Sequence, residues 1–433
     1  MRGAQSTLLT LGALIASLGL GWMSAYHTLL IAVFGALVLS VLVISKVQDL
    51  WLIFFTVGVH FDDQFVNLGF SKAGYGDFAL MVLIAYWALS HYRPSRSLQL
   101  PPKWPLLVLY VVGVGLSWLQ GPTPQVVTGL YIRNTLYVLG YLALVDLIKA
   151  PKQLKLFLTV TTIVTMIHVI FALFFMEKTT RLEGLSGQPN IFGGLIGPGA
   201  LIAILLSSSP LINKTWRLAL ALVGLFITAG LILTVSRGSQ IAFFTALLWT
   251  FRRRWRGILI AGGLIALIIQ LIYILEPDRL DYFYTRWEFE DRSISGRRDI
   301  LFNAINIIFE KPIFGVGFAQ FIQLETVMNI DSGHGRASHN HYLGEFATIG
   351  IPTALTLFYF IIHQGHSLWR LRDLKDPNSR LYLTIFQALF VFQSVALIFR
   401  GGRRMIEWTF LAVYTAAAII YYQQTQTVTR RPH

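Results

Sequence analysis

The sequence predicts an all-α, polytopic membrane protein with 12 to 14 transmembrane helices and one large, partly helical external loop. Composition is the first observation: 55% of the 433 residues are hydrophobic and only 13% are charged, against about 25% charged in soluble domains. The mean hydropathy is also high, at +0.61. The third observation is that apolar runs of about 20 residues, the length that crosses a bilayer as a helix, recur along the chain.

Twelve long apolar runs give the lower helix count. Two shorter runs, near 51–60 and 238–251, raise it to 14. Arg2 precedes a run that is too long for the core of a signal peptide, so no cleavable leader is expected. The twelve long runs lie near 7–25, 28–45, 74–91, 105–119, 127–148, 156–176, 190–209, 217–235, 257–275, 341–363, 381–398 and 406–422.

The chain carries a net charge of +14 and contains no cysteine, which excludes disulfides and thiol chemistry. Its basic residues fall in short connections, so we expect membrane lipids or a phosphate-bearing substrate as partners and no nucleic acid. Every second connection is rich in Lys and Arg, which the positive-inside rule assigns to the cytoplasm. With an even helix count, both termini are inside and four connections are outside: 60–74, 177–190, 276–340 and 399–405.

The chain divides into four parts. The large external loop, 276–340, holds ten of the 21 acidic residues, seven basic residues and an amphipathic helix candidate at 297–310. Loops longer than about 15 residues are uncommon unless they are functional or disordered, and the apolar periodicity favours a folded one. The other three parts are the N-terminal helices (1–180), the helices that carry a Ser-Arg-Gly motif (181–275), and the C-terminal helices with a cytoplasmic tail (341–433).

The stretch "SHNHYLGEFATIG" places polar side chains at the mouth of an apolar helix. A neutral imidazole takes a proton from a hydroxyl near pH 7, so His339, with Asn340 beside it, is a candidate general base. The alternative is a histidine that only hydrogen-bonds across the bundle or to headgroups. His334, His339 and His341 suggest a metal site, but neither an H-x-x-x-H pair nor a carboxylate cluster accompanies them, so none is expected. His341 and Glu345 are i,i+4 neighbours on the predicted helix.

Arginines at the external ends of the apolar runs are candidates for binding phosphate. Arg237, in "TVSRGSQ", lies between two apolar runs, where an arginine usually faces a cavity or a partner. Its guanidinium can hold a phosphate bidentately at any pH, and the alternative is a snorkelling side chain at the interface. Arg133 is a further intramembrane candidate. Six other arginines share the external face with Arg237 and form with it either a phosphate site or a headgroup anchor: Arg181, Arg297, Arg298, Arg400, Arg403 and Arg404.

Four ordered motifs within about 190–355 resemble the family of O-antigen ligases and Wzy-type polymerases of the bacterial envelope. The family signature is a His-Asn pair, nine residues and a glycine, as in His339, Asn340 and Gly350. Residues 1–180 resemble the family only as hydrophobic helices. The other three motifs are "EKPIFGVGFAQF" at 310–321, similar to a Pro-hydrophobic-Phe-Gly-x-Gly element, "SGRRDI" at 295–300, similar to a Gly-Arg element, and "SRGSQIAF" at 236–243, similar to a Ser-Arg-Gly element.

The resemblance implies a GT-C-like transferase that moves a glycan from undecaprenyl diphosphate to a sugar hydroxyl, with inversion and without a metal or cofactor. It implies that His339 is the catalytic base and that Arg237 and Arg297 hold the diphosphate. Arg298 is a second candidate in the same element, and Asn340 orients the histidine or the acceptor. His341 departs from the family pattern and is an alternative to His339, although the nine-residue spacing favours His339. Further candidate substrate contacts are His341, Arg181 and Arg403.

The leading hypothesis is an O-antigen ligase of the bacterial inner membrane, with its active site facing the periplasm and the lipid A-core oligosaccharide as acceptor. The alternative is a Wzy-type polymerase, whose acceptor is a growing O-antigen or exopolysaccharide glycan. The third hypothesis is a solute or anion transporter, whose polar groups should lie near the bilayer midplane on discontinuous helices in two related halves. Here the polar groups gather at one face and no repeat is visible.

The predicted orientation can be tested with topology reporters. We expect alkaline phosphatase to be active when it is fused after position 290, in the external loop, and inactive when it is fused after position 373, within "RLRDLK". Green fluorescent protein should show the opposite pattern, because the basic connections are retained in the cytoplasm. Equal phosphatase activity of both fusions at matched expression would contradict the assignment.

Overall fold

The computed structural model describes most of the chain from residue 49 onward. The described residues are 49–61, 65–67, 72–91, 97–121, 124–176, 181–252, 292–318, 340–371, 374–400 and 405–429, together with the single positions 40, 262, 263, 266 and 270.

Helices make up nearly all of the described structure, which confirms the predicted all-α class. A short antiparallel pair of strands, β1 (Phe65–Asn67) and β2 (Lys72–Gly74), is the exception, in a connection that the sequence predicted only as external. The described helices are α1 (Leu50–His60), α2 (Tyr75–His91), α3 (Pro105–Gln120), α4 (Pro124–Leu147), α5 (Pro151–Phe174), α6 (Pro189–Ser207), α7 (Lys214–Leu233), α8 (Arg237–Phe251), α9 (Arg292–Glu310), α10 (His341–Arg370), α11 (Pro377–Ala396) and α12 (Met405–Thr429).

Most of the predicted apolar runs correspond to these helices. Both short runs are helical, as α1 and α8, and the amphipathic candidate in the external loop is helix α9, which begins five residues earlier than predicted. Within the described residues, five helices are long and apolar enough to cross a membrane: α5, α6, α7, α10 and α12. The runs near 7–25, 28–45 and 257–275 lie outside the described residues apart from single positions, so the total of 12 to 14 stays a prediction.

Helices α6 and α12 form the centre of the bundle. Over their most apolar windows, 78% of α6 and 89% of α12 is buried, against 33% of α7, which therefore lies at the periphery. Both central helices are rich in small residues, which let neighbouring backbones approach closely where lipid supplies no hydrophobic driving force between helices. In α12, Ala412, Ala416 and Ala417 are fully buried.

Arg133, a sequence candidate for an intramembrane site, has a structural partner. Its Nη2 lies 2.7 Å from Oδ2 of Asp77, at the start of α2. The same carboxylate oxygen accepts a hydrogen bond of 2.9 Å from the backbone N–H of Gly74. The pair ties α4 to the strand–helix corner, so Arg133 stabilises this corner and is not part of the arginine set considered for phosphate binding.

Helix α10 is broken at Gly350, which has a φ of +78° and a ψ of +166°. The break removes two backbone hydrogen bonds of the helix. The carbonyl of Ala347 loses its usual donor because the N–H of Ile351 instead donates to the carbonyl of Pro312, at 2.7 Å. The carbonyl of Thr348 has no helical donor because Pro352, four residues on, lacks an N–H. Two carbonyls inside the bundle therefore need partners from elsewhere.

The turn that follows α9, residues 311–318, supplies those partners. The backbone N–H of Val316 donates to the carbonyl of Ala347 at 2.9 Å, and that of Gly317 donates to the carbonyl of Thr348 at 3.2 Å. The hydroxyl of Ser117, in α3, also donates to Thr348, at 2.9 Å. The external loop is thus bonded to the break in α10 through main-chain groups, and the buried side chains of Ala304, Val316 and Ala347 pack beside the joint.

We predict that Gly350→Ala destabilises the protein strongly. A Cβ at this position would overlap the carbonyl of Ile313, and the positive φ alone costs an L-residue about 1–3 kcal/mol. Gly129→Ala is the matched control, since its Cβ would meet nothing within 4 Å and alanine favours a helix over glycine by about 1 kcal/mol. The apparent Tm in detergent should fall only for Gly350→Ala. An equal Tm for the two variants would show that the turn does not hold the break.

Candidate functional site

Five helices bring their ends together at one end of the bundle: the N-termini of α6, α8, α10 and α12 and the C-terminus of α11. The segment 397–400, which follows α11, contacts the other four. The carbonyl of Leu397 accepts the N–H of His341 at 3.0 Å, Phe399 packs against Gly238, and Arg400 packs against Gly194. We name the polar residues gathered here the polar cluster: Arg181, Asn190, Arg237, Asn340, His341, Arg400 and Glu407.

Arg181 joins the connection before α6 to the turn between α7 and α8. Its Nε donates to the carbonyl of Thr234 at 3.1 Å, and its Nη2 lies 3.3 Å from the carbonyl of Val235. The same Nη2 is 3.2 Å from Oδ1 of Asn190, in the first turn of α6. The planar guanidinium has several donors and so bonds to three acceptors at once. Arg181 therefore braces the two chain segments, that is, it links them through hydrogen bonds.

The turn that Arg181 braces has a strained backbone. Val235 has a φ of +49°, and a β-branched residue in this region is a true outlier that costs about 1–3 kcal/mol. The side chain of Val235 is buried, as is that of Ser236 at the N-terminus of α8. Strained residues of this kind occur preferentially at ligand sites. The strain here sets the direction in which α8 begins.

Arg237 is the first residue of α8 and is half-buried. The N-terminus of a helix carries partial positive charge and backbone N–H groups that favour an anion. The next residue must be small, because a Cβ on Gly238 would overlap that of Phe399. Ser239 follows, and its hydroxyl lies 3.1 Å from that of Ser236 and 3.4 Å from the carbonyl of Asn190. The "SRGS" stretch therefore fixes the backbone from which the Arg237 side chain extends, against α6 and segment 397–400.

Asn340 and His341 begin helix α10, and each makes a local contact. The Oδ1 of Asn340 accepts the N–H of Leu343 at 3.1 Å, which caps the helix. The side chain of His341 is only 1% exposed, and its Nδ1 lies 3.4 Å from Oε1 of Glu345, so the predicted i,i+4 relation is confirmed. A side chain so deeply buried is packed against its neighbours, which favours a positioning role for His341.

Glu407 is a member of the cluster that the sequence did not reveal. Its Oε1 lies 3.2 Å from Nη1 of Arg400, with the two side chains 6% and 11% exposed. The guanidinium packs directly against Gly194, where a Cβ would overlap Nη1 in its present position. The sequence did contain one signal for Glu407. A carboxylate inside an apolar run usually has a buried partner or belongs to a functional site. Asn190 was also missed, because an isolated amide in a glycine-rich stretch carries no such signal.

Four predicted site residues are placed only by their backbone or not at all. Arg297 and Arg298 lie in α9, whose backbone is described there while their side chains are not. His339 and Arg403 lie outside the described residues, next to Asn340 and to segment 397–400 respectively. Across the described part of the chain, no three His, Asp or Glu side chains converge as a metal site requires, and His334 lies outside that part.

Residues 219–358 match the model of the O-antigen ligase family. The match spans all four motifs, from "SRGSQIAF" to Gly350, and so confirms the family resemblance. It also contains α8, α9 and the broken part of α10, which carry much of the polar cluster and the joint between the loop and the bundle. No curated protein matches the chain.

We predict that Arg181→Gln lowers the apparent Tm in detergent, because the braced turn loses contacts to a charged donor that contribute about 1.5–3 kcal/mol each. Arg217→Gln is the control: that guanidinium donates through Nε to a single carbonyl, that of Ser207, at 3.1 Å and at the other end of the bundle. Arg181→Lys should behave like Arg181→Gln, since an ammonium keeps the charge without the planar fork. Equal Tm values for Arg181→Gln and Arg217→Gln would contradict the bracing role.

Proposed function

With residues 219–358 assigned to the O-antigen ligase family, we propose that this multi-pass membrane protein is a glycosyltransferase that moves a glycan from undecaprenyl diphosphate to a hydroxyl of the lipid A-core oligosaccharide. The transfer is inverting and needs no metal. We place the protein in the bacterial inner membrane with the polar cluster facing the periplasm. The observation that carries the proposal is Arg237, fixed at the positive end of α8 within the matched segment.

The leaving group sets the first requirement of this reaction. A departing diphosphate gains negative charge in the transition state, and fixed positive groups stabilise that charge without reorganising. We assign this role to Arg237 and the first N–H groups of α8, and also to Arg297, with Arg298 as a second candidate in the same element. Arg181 is bonded to backbone carbonyls and Arg400 to Glu407, so these two support the shape of the site and its field.

The acceptor hydroxyl sets the second requirement, a base. His339 immediately precedes Asn340, the cap of α10, whose backbone is held near segment 397–400 by the hydrogen bond from His341 to Leu397. Because the ring of His341 is buried against Glu345, we assign the base to His339 and a positioning role to His341. Asn340 orients the base through the fixed helix start. General base catalysis of this kind contributes about 10²- to 10⁴-fold.

The broken helix α10 bears on the transporter hypothesis. Transporters use discontinuous helices to present free backbone groups to a solute near the midplane. Here the two freed carbonyls accept hydrogen bonds from Val316, Gly317 and Ser117. A break whose acceptors are satisfied from within the protein offers no solute site, and this supports transfer chemistry at the polar cluster.

We predict a single shifted product when purified protein is given undecaprenyl-diphosphate glycan together with lipid A core. His339→Ala should lower the rate by about 10²- to 10⁴-fold, and Arg237→Lys should lower it because an ammonium cannot hold the diphosphate with a bidentate fork. His366→Ala is the matched control, since this exposed histidine lies near the far end of α10. Product size and rate are measured on gels.

Each alternative gives a different pattern in the same assay. A ladder of products without lipid A core would identify a Wzy-type polymerase and leave the site assignment intact. Full activity of His339→Ala with loss in His341→Ala would move the base to His341. Unchanged rates in His339→Ala, His341→Ala and Arg237→Lys would overturn the assignment of the polar cluster as the active site.

A further inference from the structure

Helices α6, α8 and α11, each of which has one end at the polar cluster, also line a cavity at their other end. The cavity has a volume of about 430 Å³ and lies between the C-termini of α6 and α8 and the N-terminus of α11. It is about 20 Å from the polar cluster, since some 15 residues of α6 separate the two at 1.5 Å per residue. Its volume is in the range of small-molecule sites, about 300–1,000 Å³. No residue of the polar cluster lines it.

Among the described residues that line this cavity, two are arginines and none is a carboxylate. Arg380 donates from Nε and Nη2 to the carbonyl of Leu374, at 3.0 and 2.7 Å, which fixes the plane of its guanidinium. Arg252 lies over the ring of Trp249, 4.3 Å from the centroid, and donates from Nη1 to the carbonyl of the same residue. Both side chains are exposed. Within the described residues, neither guanidinium has a carboxylate partner.

The nearest carboxylate in the sequence is already bonded. Asp376 caps α11, and its Oδ2 accepts hydrogen bonds from the N–H and the hydroxyl of Ser379, at 2.8 and 2.7 Å. These bonds hold the pKa of the Asp376 carboxyl below its ordinary value. The carboxylate thus remains an anion bound to its own helix, and the two lining arginines keep donors for another acidic ligand.

The remaining walls match a lipid rather than a free anion. Leu205, Leu211, Leu381 and Ile385 give the cavity an apolar side, and Trp249 stands beside the arginines. Tryptophan with basic side chains next to apolar surface is typical of the membrane–water interface. A free phosphate would use the arginines and leave the apolar side exposed to water, whereas a phospholipid would cover both.

We propose that this cavity binds the headgroup of an anionic phospholipid, with its phosphate between Arg252 and Arg380 and an acyl chain along the apolar wall. The sequence places the Lys- and Arg-rich connections at this end, including "RRRWR" at 252–256, and anionic lipids of the cytoplasmic leaflet attract such clusters. The lipid would hold the ends of α6, α8 and α11 together. The site is independent of the proposed glycan transfer.

The experiment measures the apparent Tm of the full-length protein in detergent against added phosphatidylglycerol, phosphatidylcholine with the same acyl chains, or inorganic phosphate at equal ionic strength. A ligand that binds the folded protein raises the Tm with its concentration. We expect phosphatidylglycerol to act at roughly tenfold lower concentration than phosphatidylcholine, and the variant R252Q/R380Q to lose that difference. Arg217→Gln, which removes a charge from the same end but not from the cavity, should keep it.

Ser208→Glu provides a second route if the double variant proves unstable. Ser208 is an exposed residue of the cavity wall, so a carboxylate there should repel the lipid phosphate and weaken the response to phosphatidylglycerol while leaving that to phosphatidylcholine unchanged. The proposal is overturned if wild type responds equally to both lipids, if inorganic phosphate alone gives the full Tm rise, or if Ser208→Glu and R252Q/R380Q keep the preference. Because the readout is lipid binding, failure of the glycan-transfer proposal would not affect it.

Discussion

Unsatisfied backbone groups at the break in α10 are the constraint on which the arrangement of the polar cluster depends. In a bilayer no water is at hand to bond a freed carbonyl, so the donors have to come from the protein. The turn 311–318 supplies them through the N–H groups of Val316 and Gly317. This turn is thereby attached to α10, and the backbone of α9 is held beside the helix that begins at Asn340.

The cations of the polar cluster differ in their structural surroundings. Arg181 and Arg400 are occupied with carbonyls and with Glu407, and they hold the ends of α6, α8 and α12 in register. Arg237 begins a helix at a strained turn, so the helix field and the guanidinium act from one place. A lipid-borne diphosphate would meet a preformed positive site of this kind without a costly rearrangement of the protein.

The sequence was sufficient for the helices, since an apolar run of bilayer length has few other stable structures. The sequence also located Asn340 and Gly350 as parts of one motif. It did not show the structural reason for either residue. Gly350 is required by a backbone contact with Ile313, far away along the chain, and no local pattern encodes such a contact. Glu407 escaped notice for the same reason, because its partner Arg400 is identified only by the tertiary fold. The strands β1 and β2 have three residues each, too few for a periodicity to be visible.

The glycines of α6 have a mechanical consequence. Gly194, Gly197 and Gly199 lie so close to the side chains of their neighbours that a methyl group would overlap Arg400, Phe392 or Thr165. These close contacts at three successive levels determine which face of α6 meets each of its neighbours. The N-terminus of α6, with Asn190, is therefore held at one position relative to the rest of the bundle. Under the proposed function, a donor tethered by a lipid tail would have to bring its diphosphate to that position in the bundle.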